Sequence, residues 1–108
     1  MAKFPTSKLY FYNFLNTKKN IIGVGLYRKG FDAYIHHHKQ AETYYLLWGH
    51  AKLQIGNKKE IIKAPTKRFI DRCRLHAITP ISNYIILMYH FAGGPFCTVN
   101  YVFTDKVL

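Results

Sequence analysis

From Asn20 onwards, the sequence is a succession of short apolar runs that are rich in β-branched and aromatic residues. Runs of this kind are typical of β-strands when turn-forming residues separate them. Here the turn signals include Gly30, Gly49, the GNKK stretch at 56–59 and the GGP stretch at 93–95. No window after residue 20 has the sustained 3.6-residue period of an amphipathic helix. The pattern predicts an all-β antiparallel sandwich or barrel, with strands at 21–27, 41–48, 51–55, 60–64, 67–71, 75–79, 83–91 and 98–103.

The chain length of 108 residues predicts one domain with a modest core. Residues 1–19 are expected to form an N-terminal arm or a short helix, and residues 20–108 the β-domain. The N-terminal apolar stretch LYFYNFL is short and broken by Asn13, unlike a secretory signal. No apolar run approaches the roughly 20 residues that span a membrane. We therefore expect a cytoplasmic protein that does not associate with membranes.

The chain is strongly basic, with 16 Lys and Arg against five Asp and Glu, a formal net charge of +11. Such a balance attracts nucleic acid, acidic membranes or anionic metabolites, but it also describes a merely solvated lysine-rich surface. The lysines are scattered, and the aromatic residues do not alternate with basic ones as a base-stacking platform requires. Nucleic-acid binding is therefore not expected. The two cysteines, Cys73 and Cys97, form no disulfide framework and are expected to be free thiols.

The stretch YIHHHKQAETYYLLWG, residues 34–49, concentrates histidines around one of the few acidic residues. On a strand, side chains two residues apart share a face, so His36 and His38 project together and His37 projects away. Glu42 keeps the same parity. Two imidazoles and one carboxylate form a set that binds divalent metals. His76, flanked by apolar residues in another predicted strand, is the best candidate for a further ligand.

Simpler interpretations exist for each part of this set. Three consecutive histidines also suit a solvated surface, and His76 alone also suits a core histidine that is hydrogen-bonded to a neighbour. The spacing of the whole stretch decides between them. Gly30, His36, His38, Glu42 and Gly49 follow the pattern G-x5-H-x-H-x3-E-x6-G at every defined position. This pattern resembles the first sequence motif of the cupin superfamily, and the two glycines suit hairpin turns that need positive φ.

The second cupin motif, G-x5-P-x-G-x2-H-x3-N, is matched only at its histidine, His76. Pro65 stands at the first Gly position, Asp71 at the Pro position, Cys73 at the second Gly position and Pro80 at the Asn position. Asp71 and Cys73 either occupy an ordinary turn or alter access to the pocket. The resemblance implies a cupin-type antiparallel β-barrel or jelly roll. It also implies one divalent transition metal (Fe, Mn, Ni or Zn) held by His36, His38, Glu42 and His76.

The segments HHHKQAETYYLL and YIILMYHFAGGPFCTVNYVF, at 36–47 and 84–103, are similar to those of small cupins that include the dimethylsulfoniopropionate lyases. In those lyases a tyrosine removes a proton next to a carboxylate that the metal holds. The resemblance implies Tyr101 as this base and Tyr44 as a second pocket tyrosine. It implies a metal-dependent enzyme of the lyase or dioxygenase class that acts on a small carboxylate or oxygenated metabolite, so we expect a small, anionic substrate.

Two other function classes stay open. The first is a non-catalytic ligand-binding or sensing cupin. The second is a sugar or sugar-phosphate isomerase or epimerase, in which Arg68, Arg72 and Arg74 would bind a phosphate. A short chain with many apolar strand residues is also expected to form a homodimer. Trp48 shares the parity of Glu42, which predicts a place in the core.

Overall fold

In the computed structural model, which describes residues 8–108, ten strands form two five-stranded antiparallel sheets. The first sheet has the order β1-β2-β9-β4-β7, and the second has the order β10-β3-β8-β5-β6. Most neighbouring strands are distant in sequence, as in a jelly roll, so the predicted all-β fold class is confirmed. The strands are β1 (Leu9–Asn16), β2 (Ile21–Arg28), β3 (Tyr34–His37), β4 (Glu42–Trp48), β5 (His50–Ile55), β6 (Lys58–Lys63), β7 (Thr66–Ile70), β8 (His76–Pro80), β9 (Tyr84–Phe91) and β10 (Val102–Val107).

Part of the expected N-terminal arm is a strand. Residues 9–16 pair with β2 from Leu9 opposite Tyr27 to Asn16 opposite Ile21, so neither a helix nor an irregular arm describes them. The aromatic residues of LYFYNFLN favour a strand, and β2 offers them an edge with which to pair. Residues 1–7, the beginning of the expected arm, lie outside the described residues. At the other end, the strand expected at 98–103 begins only at Val102, after a short 3-10 helix at Phe96–Thr98.

The core lies between the two sheets and follows the two-residue alternation of the strands. In β9, for example, Ile85, Leu87, Tyr89 and Phe91 are buried while the residues between them are more exposed. Burial of such large apolar side chains stabilises the fold by about 1.5–3 kcal/mol each. Among the described residues, no helix is long and apolar enough to cross a membrane.

The prediction that Trp48 is a core residue is wrong. The register of β4 against β9 shifts between Leu46 and Trp48, so Leu46 faces Leu87 whereas Trp48 faces Ile86. Such an irregularity changes which residues point inward beyond it. Trp48 is consequently 57% exposed, although it has the same parity as the buried Glu42.

Gly30 and Gly49 both have the left-handed backbone that was expected of them, with φ of +90° and +86°. A Cβ at Gly49 would lie 2.6 Å from the carbonyl oxygen of Tyr84, so a larger residue would also clash there. Cys73 has φ of +60° and is the described non-glycine residue with a positive φ. The backbone at this position of the second motif therefore retains the conformation that suits glycine, although glycine is absent.

Candidate metal centre

The four expected ligand residues come together between the two sheets. His36 lies on β3 directly opposite His76, the first residue of β8. His38 follows β3, and Glu42 begins β4. His76, His38 and Glu42 are buried, at 0%, 2% and 4% exposure. The side-chain nitrogens of His36, His38 and His76 lie within 4.8 Å of one another, a spacing that one metal ion can bridge, and His37 is not part of this group.

Glu42 adds a carboxylate to the three imidazoles. Its Oε1 atom lies 3.1 Å from Nε2 of His38 and 3.2 Å from Nε2 of His76. The His76 contact is an ion-pair distance and not a hydrogen bond, so this buried nitrogen has no hydrogen-bond partner among the described residues. Buried polar atoms in proteins are nearly always satisfied. A metal ion is the kind of partner that such an unsatisfied nitrogen indicates.

The opposite nitrogen of each imidazole is held by a backbone carbonyl. Nδ1 of His36 donates to the oxygen of Tyr34 at 2.9 Å, and Nδ1 of His38 donates to that of Gln40 at 2.9 Å. Nδ1 of His76 donates to the oxygen of Arg74 at 2.7 Å. A carbonyl oxygen only accepts, so Nδ1 carries the proton in all three rings. In the neutral imidazoles the lone pair is then on Nε2, as metal-binding histidines require.

With this tautomer, the centre contains several electron-pair donors and no proton between them. The unprotonated Nε2 atoms of His38 and His76 both lie about 3 Å from the carboxylate oxygen of Glu42. A proton or a cation must therefore lie among these three atoms. Burial, with the neighbouring His76, lowers the pKa of His36 to about 3, so this ring is neutral and free to bind a metal near pH 7. Burial acts to raise the pKa of Glu42, but the His38 and His76 rings outweigh it, and the net pKa is lowered. The residues present therefore fit a divalent metal ion.

A cavity of about 450 Å³, counted with the space at its mouth, reaches the histidine group at His36. His36, Tyr44 and Tyr101 are among its lining residues. The Tyr101 ring lies 5.4 Å, between centroids, from the rings of both His36 and His38, and the Tyr44 ring lies 6.0 Å from that of His76. The two tyrosines expected in the pocket thus border both the histidines and the cavity.

Tyr27 is a third tyrosine of this cavity, and the sequence analysis did not single it out. The signal was available, because Tyr27 has the same parity as the buried Ile21, Gly23 and Gly25 of β2. Gly25 leaves room for its ring, since a Cβ there would lie 2.8 Å from Cε1 of Tyr27. Tyr27 also packs edge-on against Phe31, with the ring centroids 5.3 Å apart.

The three tyrosines of the cavity have raised pKa values, chiefly because they are buried. Burial, followed by the charge of Glu42, raises the pKa of Tyr101 well above its usual range. The same two causes raise the pKa of Tyr44 and of Tyr27. Each hydroxyl is therefore protonated near pH 7 in the metal-free centre, and a nearby cation would act in the opposite direction.

None of the described residues that line the cavity is a lysine or an arginine, and Asp32 is the acidic one among them. Arg68, Arg72 and Arg74, the expected phosphate ligands of an isomerase, do not line it. Arg68 instead donates to both carboxylate oxygens of Glu60, each at 3.0 Å. The structure thus does not place these arginines where a phosphate beside the histidines would need them.

The turn before His76 is tied to the centre by its backbone. The N–H of Cys73 donates to the carbonyl oxygen of His38 at 2.9 Å, and the N–H of Arg74 donates to that of Asp71 at 3.3 Å. Cys73 itself is exposed and free, as is Cys97. Asp71 accepts from the backbone N–H of Arg72 at 2.8 Å. Neither Asp71 nor Cys73 lines the cavity. These two residues instead belong to a turn whose backbone is hydrogen-bonded to His38 and leads into His76.

No protein-family model matches the sequence, and no curated protein matches it. Solved structures do resemble the fold. The DMSP lyase DddQ from Ruegeria pomeroyi DSS-3 matches with a TM-score of 0.81 and 16% identity, over 93% of this chain and 53% of that chain. A chain from the crystal structures of the DMSP lyases RdDddP and RnDddQII matches with a TM-score of 0.77 and 18% identity, over 90% and 53%.

This chain therefore spans about half the length of those two lyase chains. An RmlC-like cupin family protein with a double-stranded β-helix fold, from Methanocaldococcus jannaschii, is closer in length. It matches with a TM-score of 0.73 and 13% identity, over 88% of this chain and 93% of that one. Identities this low establish a shared fold and not a shared activity. With its two antiparallel sheets and its central group of histidines, the chain has the cupin fold.

Proposed function

We propose that the protein is a metal-dependent lyase that acts on a small molecule with a carboxylate group. The observation that carries this proposal is the convergence of three Nε2 atoms, each with its Nδ1 bound to a backbone carbonyl, beside a cavity bordered by Tyr44 and Tyr101. His36, His38, His76 and Glu42 would hold one divalent ion. This donor set does not choose among Fe, Mn, Ni and Zn.

The cavity favours a small substrate with a single acidic group, whose remainder is apolar or carries a cation that aromatic rings attract. With no lysine or arginine among the described lining residues, a carboxylate could be neutralised only at the histidine group. A bound divalent ion would supply that positive charge and a Lewis-acid position for the carboxylate. The aromatic and aliphatic walls, with Phe31, Ala77, Ile78 and Phe103 among them, would exclude water from the remainder of the substrate.

Tyr101 is the proposed base. Its ring contacts two of the proposed ligand histidines, and its hydroxyl would be more acidic beside a cation than in the metal-free centre. As tyrosinate it would take the proton from the carbon next to the carboxylate. The electrons of that C–H bond would form a carbon–carbon double bond, and the leaving group on the next carbon would depart with its own bonding pair. Tyr44, on the side of His76, would position the substrate.

The experiment begins with metal content. Untagged protein is analysed by elemental mass spectrometry beside a His36→Ala/His76→Ala variant, as purified and after reconstitution with iron, manganese, nickel and zinc. About one equivalent of metal that the variant does not bind is the expected result. Dimethylsulfoniopropionate (DMSP), which the names of two similar structures give as a lyase substrate, is then added under anaerobic conditions to the protein loaded with each metal. Products are measured by mass spectrometry.

The proposal is contradicted if no metal binds, or if the metal-loaded protein turns over carboxylates only in the presence of oxygen. The second outcome would favour the dioxygenase class, since a ferrous ion held by histidines and one carboxylate suits oxygen activation. Tight binding of substrate without turnover would favour the non-catalytic cupin. That alternative is supported by burial and the charge of Glu42, which move the pKa values of Tyr44 and Tyr101 further from the range that suits a base.

A further inference from the structure

One face of the β5–β6 hairpin carries a group of lysines. On β5, Lys52 is exposed between two buried neighbours, so it projects from the outer face of the second sheet. On β6, Lys59, Ile61 and Lys63 are exposed and have the opposite parity to the buried Ile62. Lys52 lies opposite Ile61, and diagonal neighbours on paired strands are about 7–8 Å apart. The three lysines, which we call the lysine triad, therefore surround a single apolar side chain.

No carboxylate neutralises the lysine triad. Besides Ile61, the side chains that share its outward parity on the two strands are His50 and Gln54. The acidic residue of the hairpin, Glu60, has the opposite parity and receives two hydrogen bonds from Arg68 of β7, each at 3.0 Å. None of the three lysines forms an ion pair within the part of the chain that the structure describes. The triad therefore presents its positive charge to the solvent.

Protection of a sheet edge does not account for this group. Lysines on an edge strand hinder pairing with another chain, and Lys59 and Lys63 do lie on β6, an edge strand of the second sheet. Lys52, however, lies on β5, which pairs with both β6 and β8. A lysine on the outer face of an interior strand hinders no pairing, so the arrangement points to an anionic partner above the face.

A fourth cation extends the triad around the turn of the hairpin. The guanidinium of Arg74 lies beside Gly56, where a Cβ would be 3.0 Å from its Nη2 and 3.1 Å from its Nε. Arg74 is exposed, and its guanidinium has no carboxylate partner among the described residues. Lys63, Lys52, Lys59 and Arg74 thus follow one another from one end of the hairpin to the other.

An aromatic groove lies at the opposite end of this row. Trp48 and Lys63 line it together with Leu47 and Pro65, and its volume is about 1,040 Å³, counted with the open space above it. Trp48 is 57% exposed, although tryptophan is highly buried on average. A planar anionic ligand that stacks on Trp48 would therefore lie beside the Lys63 ammonium group.

Single-stranded nucleic acid combines the two features that this surface fits. Its bases offer a planar face to an aromatic side chain, and its phosphates offer one negative charge per unit to a row of cations. The six residues of β5 span about 20 Å, with a cation roughly every 7 Å between Trp48 and Arg74. That length suits a site of about four nucleotides, the lower limit in the OB-fold barrels that bind single strands.

Two other polyanions fit the surface less well. A lipid bilayer requires several apolar side chains that insert among the headgroups, whereas the triad surrounds Ile61 alone and Trp48 forms the wall of a groove. An acidic peptide would pair with the lysines, but it would not supply a planar group at each unit for Trp48.

We propose that the outer face of the β5–β6 hairpin binds single-stranded nucleic acid, with phosphates on the lysine triad and Arg74 and one base stacked on Trp48. These residues are scattered in the sequence, and only the antiparallel pairing of β5 and β6 gathers them on one face. The sequence alone did not indicate such binding for this reason. None of the residues involved lines the cavity beside His36, so the proposal is independent of the metal and of any catalytic activity.

The test is fluorescence anisotropy with labelled ten-nucleotide oligothymidylate and oligouridylate over a range of salt concentrations. Binding is expected at low salt, and the logarithm of the affinity should fall against the logarithm of the salt concentration with a slope of about −3. This slope follows from four phosphate contacts, each of which contributes about −0.7 on a single strand. Lys52→Glu/Lys59→Glu should weaken binding at least about 10-fold and make the slope shallower by about 1.4.

Lys18→Glu/Lys106→Glu is the matched control. Both lysines are exposed, and they lie in the β1–β2 connection and on β10, away from the β5–β6 face. The control makes the same change in net charge, but exposed charges more than about 10 Å apart are largely screened at 0.1 M salt. It is therefore expected to weaken binding less than about threefold.

Trp48 is the single tryptophan of the chain, so its fluorescence reports directly on the groove. Oligonucleotide binding is expected to quench it. Trp48→Ala should weaken binding about 5–150-fold, the range that corresponds to the loss of one stacked base, and Trp48→Phe should retain most of the affinity because its ring can still stack. Since Trp48 is mostly exposed, both variants should melt at the wild-type temperature.

The proposal is overturned if no oligonucleotide binds at low salt, or if both double variants weaken binding equally, since net charge alone would then be responsible. Unchanged Trp48 fluorescence at saturation also overturns it. Vesicles of phosphatidylserine and phosphatidylcholine, polyglutamate and a DNA duplex are compared as competitors. Displacement of the oligonucleotide by any of these more readily than by unlabelled oligothymidylate would assign the face to lipid, to an acidic protein or to duplex DNA instead.

Discussion

Nε2 of His38 lies 3.1 Å from Oε1 of Glu42, and both side chains are almost fully buried. Nδ1 of the same imidazole is committed to the carbonyl oxygen of Gln40. The contact can therefore be favourable in two ways, either with a second proton on His38 or with a cation that both atoms share. The centre therefore requires a proton or a cation in a place with little solvent, and this requirement underlies the first two predictions.

Removal of the Glu42 carboxylate is expected to weaken metal binding strongly. Loss of a residue that only orients a ligand already costs about 10–100-fold in affinity, and loss of a ligand itself should exceed that. Glu42→Ala is compared with Glu60→Ala by competition with a fluorescent chelator. Glu60 pairs with Arg68 in the β6–β7 region at 3.0 Å, where the pair is 28–36% exposed, so Glu60→Ala should leave the metal affinity unchanged. Equal losses in the two variants would contradict the assignment of Glu42.

Metal binding is expected to raise thermal stability. A ligand at 100 times its dissociation constant stabilises the folded state by about 2.7 kcal/mol, which in a domain of this size shifts the melting temperature by on the order of 10 °C. Scanning calorimetry with and without each metal measures the shift. The His36→Ala/His76→Ala variant should show none. A similar shift in that variant would mean that the metal binds elsewhere, for example at the exposed Cys73 or Cys97 thiols.

Tyr101→Phe is expected to lower turnover by about 10²–10⁴-fold, the usual contribution of a general base, with the metal content unchanged. Tyr44→Phe is expected to raise KM more than it lowers kcat, because its proposed role is to position the substrate. The ultraviolet tyrosinate band offers a readout that does not depend on activity. Metal addition should shift the titration of one tyrosine to lower pH in the wild type and not in Tyr101→Phe. An unchanged titration would contradict Tyr101 as the base.

Much of this group could be anticipated from one motif in the sequence, in which Gly30 and Gly49 mark turns. Strand parity alone does not relate its members, because β3 ends at His37 and a turn separates His38 from Glu42. The structure brings His36, His38, Glu42 and His76 close together. The backbone carbonyls of Tyr34, Gln40 and Arg74 that hold the imidazoles were not predictable, since every residue has a carbonyl and only the fold directs it.

Other features depended on tertiary context. The irregularity after Leu46 that exposes Trp48 has no marker in the strand pattern itself. Strand β1 was not predicted because its apolar residues do not alternate with polar ones. Its pairing with β2 becomes apparent only in the folded structure.

Cys73 provides the last prediction, because its φ of +60° is unfavourable for a residue with a side chain. The left-handed conformation costs such a residue about 1–2 kcal/mol, whereas glycine pays about 0.5–1 kcal/mol in extra backbone entropy. Cys73→Gly should therefore stabilise the protein by about 0.5–1 kcal/mol and raise its melting temperature by a few degrees.

Cys97→Gly is the control. Cys97 is also exposed, lies in the 3-10 helix and is not among the residues with positive φ, so Cys97→Gly should destabilise the protein instead. Thermal unfolding of both variants in reducing buffer without metal measures the difference. A Cys73→Gly protein that melts at or below the wild-type temperature would mean that the turn supporting His38 and His76 carries no such strain.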